Sequence, residues 1–152
     1  MRKSLVFFVL LVGMLLAFSA PAFSADVSKG IKVGNAGAFT GDAAAPCMEI
    51  YNSAQIAVDE WNEKGGIKGV KIEQIMGDDA MDPAQGVNVA NKFVADSLIY
   101  GVVGPPMSHI AQATMKIYGA ANLACITTAA SKPDLTDQGF KHFFRVNARN
   151  DA

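Results

Sequence analysis

A doubly wound, parallel α/β sheet is the fold this sequence predicts, and three observations predict it. Strand-like and helix-like runs alternate from Gly30 to Val146. Successive strand-like runs lie about one βαβ unit apart, and they are apolar enough to be covered on both faces. The similar spacing follows from that architecture and is not a solenoid repeat.

The first strand-like run is GIKVGNAG, Gly30 to Gly37, which ends in glycines. From Met48, the apolar residues Tyr51, Ala54, Val58 and Trp61 recur at three and four, as on one face of a helix, and the segment Lys64–Gly66 stops it. VKIEQIM, Val70 to Met76, reads as the second strand. A second helix carries Val87, Ala90 and Val94 on one face with Phe93 beside them. LIYGVVG, Leu98 to Gly104, is the third strand, and Ile110, Ala113, Ile117 and Ala121 mark a third helix beyond PPMS. LACITT, Leu123 to Thr128, and HFFRV, His142 to Val146, complete the series.

Ahead of these elements stands MRKSLVFFVLLVGMLLAFSAPAFSA, with two cations, an apolar run from Leu5 to Phe18, and small residues at Ala20, Ala22 and Ala25. This pattern predicts a secretory signal peptide over residues 1–25, cleaved between Ala22 and Ala25, with Asp26 as the expected mature start. The apolar run is shorter than the roughly 18 residues a membrane span needs. Removing Arg2 and Lys3 takes the formal charge from −1 to −3, which offers nothing to attract nucleic acid. The mature part has the size of a single domain with one core. Export permits a disulfide between Cys47 and Cys125, but Cys125 lies in the apolar run NLACIT and reads as a small buried hydrophobe.

The stretch MGDDAMDPAQGV places Asp78, Asp79 and Asp82 within five positions. A calcium loop needs oxygen ligands at alternating positions and a closing glutamate, which is absent at the required distance. Paired-carboxylate catalysis needs a raised pKa, and a turn gives that no specific support. Asp82, Pro83 and Gln85 instead spell a capping box with proline in the first turn, so the aspartates are expected to build a turn and start a helix.

Open parallel sheets bind ligands beyond the carboxyl ends of their strands. Three loops gather there: AFTGDAAAPC, GPPMSH and TAASKPD. Ser108 reads as the N-cap of the third helix, where its hydroxyl and the neighbouring amides suit a carboxylate, and Ser131 has the same character before Pro133. Both also read as ordinary caps serving only their own helices. GNAGAFTG does not match G-x-G-x-x-G, and G-K-[ST] is absent, so nucleotide binding lacks support. Ser108 and His109 are adjacent and face apart on a helix, a poor catalytic dyad. His142 reads as a strand-edge residue.

NEKGGIKGVKI, DDAMDPAQGVNVANKFV, YGVVG and AASKPDLTDQGFKHFFRV, in this order and spacing, closely resemble the leucine/isoleucine/valine-binding family of periplasmic proteins that serve ABC importers. The resemblance covers nearly all of the chain after residue 25. It implies a type I periplasmic binding protein fold, a two-lobed clamp that captures an amino acid or related amide and presents it to an inner-membrane ABC permease. Residues 26–152 then correspond to the N-terminal lobe, with the second lobe absent from this sequence. A periplasmic monomer without cofactor or metal is expected. In that family a serine beyond the third strand holds the ligand's α-carboxylate, which falls on Ser108. A backbone carbonyl and a hydroxyl two residues later fall on Ala129 and Ser131, where threonine is usual. Pro46, Pro106 and Met107 are further pocket candidates.

The resemblance has departures. Met81 and Met107 occupy positions that carry a disulfide in the best-known members, and the loop around Pro46 lacks the aromatic residue that covers the ligand side chain there. The family's acidic partner for the ligand's ammonium has no counterpart, because NARNDA ends the sequence near the crossing to the second lobe. A competing expectation from another class is an exported hydrolase using a serine or the aspartates. A third is a sensor domain transmitting the same clamp motion.

Overall fold

The computed structural model describes residues 26–152, and the expected signal peptide lies outside the described residues. A 3₁₀ turn at Val27–Lys29 leads into β1 (Ile31–Gly37), α1 (Ala44–Glu63), β2 (Ile72–Asp78), α2 (Pro83–Ala95) and β3 (Ile99–Val103). Then come α3 (Ser108–Ala120), β4 (Ala124–Thr127), the single turn α4 (Asp134–Asp137) and β5 (Phe143–Arg145). The strands form one sheet in the order β2-β1-β3-β4-β5, and every pair is parallel. The predicted alternation is therefore present, with boundaries displaced by one to four residues. The largest shifts are α1, which starts at Ala44 rather than Met48, and β2, which runs two residues later at both ends.

Side-chain alternation along each strand decides which helix covers which face. Ala36, Val102, Cys125 and Phe143 share a buried cluster with Ala90 and Phe93 of α2 and Ala111, Met115 and Tyr118 of α3. The Phe93 ring lies so close to the sheet that a Cβ added at Gly34 would sit 2.7 Å from it, and one at Gly77 also 2.7 Å. Two glycines set diagonally on one face of β1 and β2, Gly34 opposite Ile75 and Gly77 opposite Ala36, thus make the trough that admits the aromatic ring. Helix α2 turns Gly86, Ala90 and Phe93 inward, a face rotated slightly from the predicted Val87–Ala90–Val94 stripe. Helix α3 likewise buries Ile110, Ala111, Thr114, Met115 and Tyr118, leaving Ala113 and Ile117 on its flank.

The other face corrects an expectation. Only α1 covers it among the described residues, beside β2, where the Asn62 amide donates to Ile72 O at 2.8 Å and Gln74 Nε2 donates to Tyr51 O at 3.0 Å. Val103, Ile126 and Phe144 stand in register across β3, β4 and β5 on this side, and Ile126 and Phe144 are 40% and 50% exposed. The strands are apolar enough to be covered on both faces, but here one helix shields the α1 side incompletely. Trp61, predicted on the inward stripe of α1, is exposed, and Val58 is the buried residue of that stripe.

Candidate functional site at the carboxyl rim of the sheet

The chain leaves β1 toward β2 on one side of the sheet and re-enters at β3 on the other. The strand order reverses between β1 and β3, which opens a crevice between the loops that follow them. Met107, from the loop after β3, packs there against Ala38 and Ala43 from the loop after β1 and Cys47 from the first turn of α1. Alongside, Pro46, Ile50 and Ala54 of α1 face Val103, Ile126 and Thr128 across an open groove of about 530 Å³.

The three aspartates build the rim. Asp78 Oδ1 accepts the amides of Phe39 at 2.8 Å and Ala80 at 3.0 Å, and Oδ2 accepts the Thr40 hydroxyl at 2.7 Å. Burial acts to raise its pKa, but the hydrogen bonds from Thr40, Ala80 and Phe39 outweigh it and hold the carboxyl below its ordinary value. Asp79 Oδ1 accepts Met81 N at 3.0 Å. Ala80 and Met81 both have positive φ, 48° and 60°, a costly state for residues with a Cβ, and the two carboxylates supply the bonds that stabilise it. Asp82 caps α2 as predicted, accepting Gln85 N at 2.9 Å. The box is half formed, because Asp82 N donates instead to Asp79 O at 2.8 Å and the Gln85 side chain faces Asn88.

Asp79 goes beyond turn formation. It is fully buried, and Oδ2 has no hydrogen-bond partner among the described residues. Burial pushes its pKa up, the Met81 amide opposes this, the Asp78 charge adds to it, and His109 acts against it.

Ser108 is the first residue of α3 rather than its N-cap; Met107 holds the cap position and supplies no side-chain bond. The first intrahelical bond runs from Ala111 N to Met107 O at 2.9 Å, so the amides of Ser108, His109 and Ile110 precede the ladder. Ser108 Oγ does not cap them. It accepts the Lys132 amide at 3.3 Å, across from the loop after β4. An engaged oxygen leaves the hydroxyl proton as the group's remaining donor, directed away from Lys132. His109 Nε2 meets Met81 O at 3.2 Å, so this imidazole serves the aspartate turn and not Ser108. His142 Nε2 contacts Met115 O at 2.8 Å and packs over Gly119, remote from the rim serines.

The loops after β3 and β4 are tied by Cys125 and by two side chains the sequence did not single out, Thr127 and Arg145. Thr127 Oγ1 donates to Pro105 O at 2.7 Å and accepts Ala130 N at 3.2 Å. Cys125 Sγ donates to Gly104 O at 2.9 Å. Arg145 Nη2 donates to Lys132 O at 2.8 Å. For Thr127 and Arg145 the only sequence signal was position at the end of a strand, where side chains meet neighbouring loops. Ser131 is not a cap either, since Pro133 precedes the short α4 and the Ser131 carbonyl accepts Asn150 N at 3.0 Å. Ser108 and Ser131 nevertheless share one rim, linked through Lys132. Ala129 is exposed beside Ser131, Pro106 is buried beneath the start of α3, and Pro46 is exposed at the groove. Cys47 and Cys125 are both buried and free.

The family model described as periplasmic binding protein matches residues 30–152. The Leu/Ile/Val-binding protein BraC3 of Rhizobium johnstonii is 40% identical over 136 residues, which span 90% of this chain and 35% of that protein. The Leu/Ile/Val-binding protein of Escherichia coli K12 is 41% identical over 131 residues, 86% of this chain and 34% of its own length. Among solved structures, the branched-chain amino acid transporter substrate binding protein of Streptococcus pneumoniae, in complex with isoleucine, superimposes with a TM-score of 0.73 at 31% identity. That match covers 79% of this chain and 34% of the other. The chain thus spans about a third of the length of the relatives it matches.

Proposed function

This chain belongs to the periplasmic binding protein family, and from that premise we propose that it forms the N-terminal lobe of a substrate-binding protein for branched-chain or related amino acids. The observation that carries the reading is the Ser108 hydroxyl, its oxygen engaged by the Lys132 amide at the start of α3. A donor proton beside the free amides of a helix N-terminus suits a carboxylate, which gains both hydrogen bonds and the favourable end of the helix dipole.

In this reading Ser108 and the first amides of α3 hold the ligand's α-carboxylate. The Ala129 carbonyl and the Ser131 hydroxyl meet its ammonium end. Pro46, Pro106 and Met107 bound the pocket, and the groove between Pro46 and Ile126 offers apolar surface nearby. Capture needs no bond cleavage, only a second lobe that closes over the rim because the closed state binds the ligand more tightly. The occupied protein then delivers its amino acid to an ABC permease in the inner membrane. Export through residues 1–25 puts it in the periplasm, as a monomer. The hydrolase reading finds no base for Ser108, since His109 is engaged at Met81 O.

Thermal shift of the intact protein with leucine, isoleucine and valine, each beside its carboxamide, tests the proposal. A ligand at one hundred times its Kd stabilises the folded state by about 2.7 kcal/mol, an easily measured rise in Tm. The amino acids are expected to raise Tm and the carboxamides to leave it unchanged. No shift with any amino acid, or equal shifts with the carboxamides, rejects the reading.

A further inference from the structure

We infer that Arg145 is a positioning residue for ligand capture, one that fixes the direction of the Ser108 hydroxyl by gripping Lys132. The inference rests on the reading of Ser108 as the group that holds the ligand's carboxylate. Arg145 ends the outermost strand, paired with Thr127 in register. Its Nη2 donates to Lys132 O at 2.8 Å and to Thr136 Oγ1 at 3.1 Å. The amide of the same Lys132 donates to Ser108 Oγ at 3.3 Å. Its ammonium reaches Gln112 Oε1 at 3.0 Å and Asp134 Oδ2 at 2.9 Å.

Lys132 is therefore held at its carbonyl, its amide and its side chain. Fixing the carbonyl and the ammonium sets where the amide points, and the amide sets which way the Ser108 proton is left to face. Without the Arg145 bond, Lys132 O loses its charged donor and keeps only the Leu135 amide, at 3.3 Å, so the Lys132 peptide is held less firmly although Asn150 N still binds Ser131 O. The Lys132 amide then fixes Ser108 Oγ less firmly, and the hydroxyl samples more directions, only one of which meets a carboxylate. Arg145 touches no ligand in this scheme; it acts through Lys132.

The geometry also says what can replace it. Nε and Nη1 are screened from solvent and have no acceptor among the described residues, so both contacts run through the single nitrogen Nη2. A lysine ammonium can supply that nitrogen. A methionine fills similar space and donates nothing.

Calorimetric titration of the intact protein with leucine, isoleucine and valine decides the matter, using R145M, R145K, S108A and the double variant S108A/R145M. R145M is expected to weaken binding about tenfold, the scale of one hydrogen bond to a charged group, and R145K to recover most of that loss. In the S108A background the effect of R145M is expected to shrink to under about twofold, because no hydroxyl remains to be oriented. Equal losses in both backgrounds reduce Arg145 to general support of the fold and overturn the inference. So does unchanged affinity in R145M while S108A is weakened, a result that leaves the functional reading intact. Wild-type protein that binds none of the three amino acids removes that reading and this one together. If R145M does not fold, R145Q takes its place in the same cycle.

Discussion

Ser108 and Lys132, 24 residues apart, meet across the carboxyl rim of the sheet, where the Lys132 amide donates to Ser108 Oγ at 3.3 Å. That bond turns a residue at a helix start into a group facing a neighbouring loop. Ser108→Ala is expected to weaken amino-acid binding by about 1–3 kcal/mol, the range for leaving a charged partner short of a hydrogen bond. Thermal stability without ligand should change little, because the hydroxyl caps nothing. Calorimetry giving wild-type affinity for the variant would remove Ser108 from the site.

Gly77 tests the packing of α2 on the sheet. A methyl group there would meet Val89 Cγ1 and stand 2.7 Å from the Phe93 ring, which is itself fully buried. Gly77→Ala is expected to destabilise the fold by roughly 1–3 kcal/mol, as overpacking does, and Phe93→Leu in the same chain to recover part of it. Urea unfolding of the two variants checks this; a double variant weaker than the sum of the single losses contradicts it.

The neighbours Asp78 and Asp79 drive stability in opposite directions with pH. Asp78 has a lowered pKa in the folded state, so its contribution is present above the ordinary carboxylate value of 3.8 and is lost as pH falls through its folded pKa. Asp79 has a raised pKa, so between 3.8 and that raised value the folded state holds a proton the unfolded chain has released. Stability falls as pH rises through that window. Asp79→Asn keeps an acceptor for Met81 N and cannot ionise. Measured from about pH 4 to neutrality, the variant should lack the wild type's falling component. Parallel stability curves would show that Asp79 is charged without penalty.

Burial pushes the Cys125 thiol up to about 12, and Sγ is held on Gly104 O at 2.9 Å. Against the ordinary thiol value of 9.0, the reactive thiolate is depleted by about three orders of magnitude. Cys47 is raised as well, chiefly by burial. Both thiols are expected to stay unlabelled by a disulfide reagent in the native protein and to react on unfolding. Rapid stoichiometric labelling under native conditions would contradict the assignment.

The alternation of strand and helix was legible because each element carries its own period, and the start of α2 because Asp82 and Pro83 act within one turn. The aspartate turn was legible in kind. Its reach to Phe39 and Thr40 was not, because those bonds join segments 38 and 39 residues apart. Ser108 was read as a cap from local chemistry, which cannot see Lys132 approaching from another loop. Arg145 gave no signal beyond its place at a strand end, since a charged residue there looks solvated until the fold brings the Lys132 carbonyl to it. The bare side of β3–β5 was equally hidden, because an apolar strand looks the same whether its second face is covered or open.

Among the described residues, the row Val103–Ile126–Phe144 ends at β5, which pairs with β4 alone. Such a strand is the place where a newly made polypeptide can zipper onto another copy of itself. The segment there reads Lys141-His142-Phe143-Phe144-Arg145, an aromatic pair with a cation at each end. Stacking a second copy of this strand in register would bring like charges together at both ends, a repulsion of the kind that opposes fibre growth.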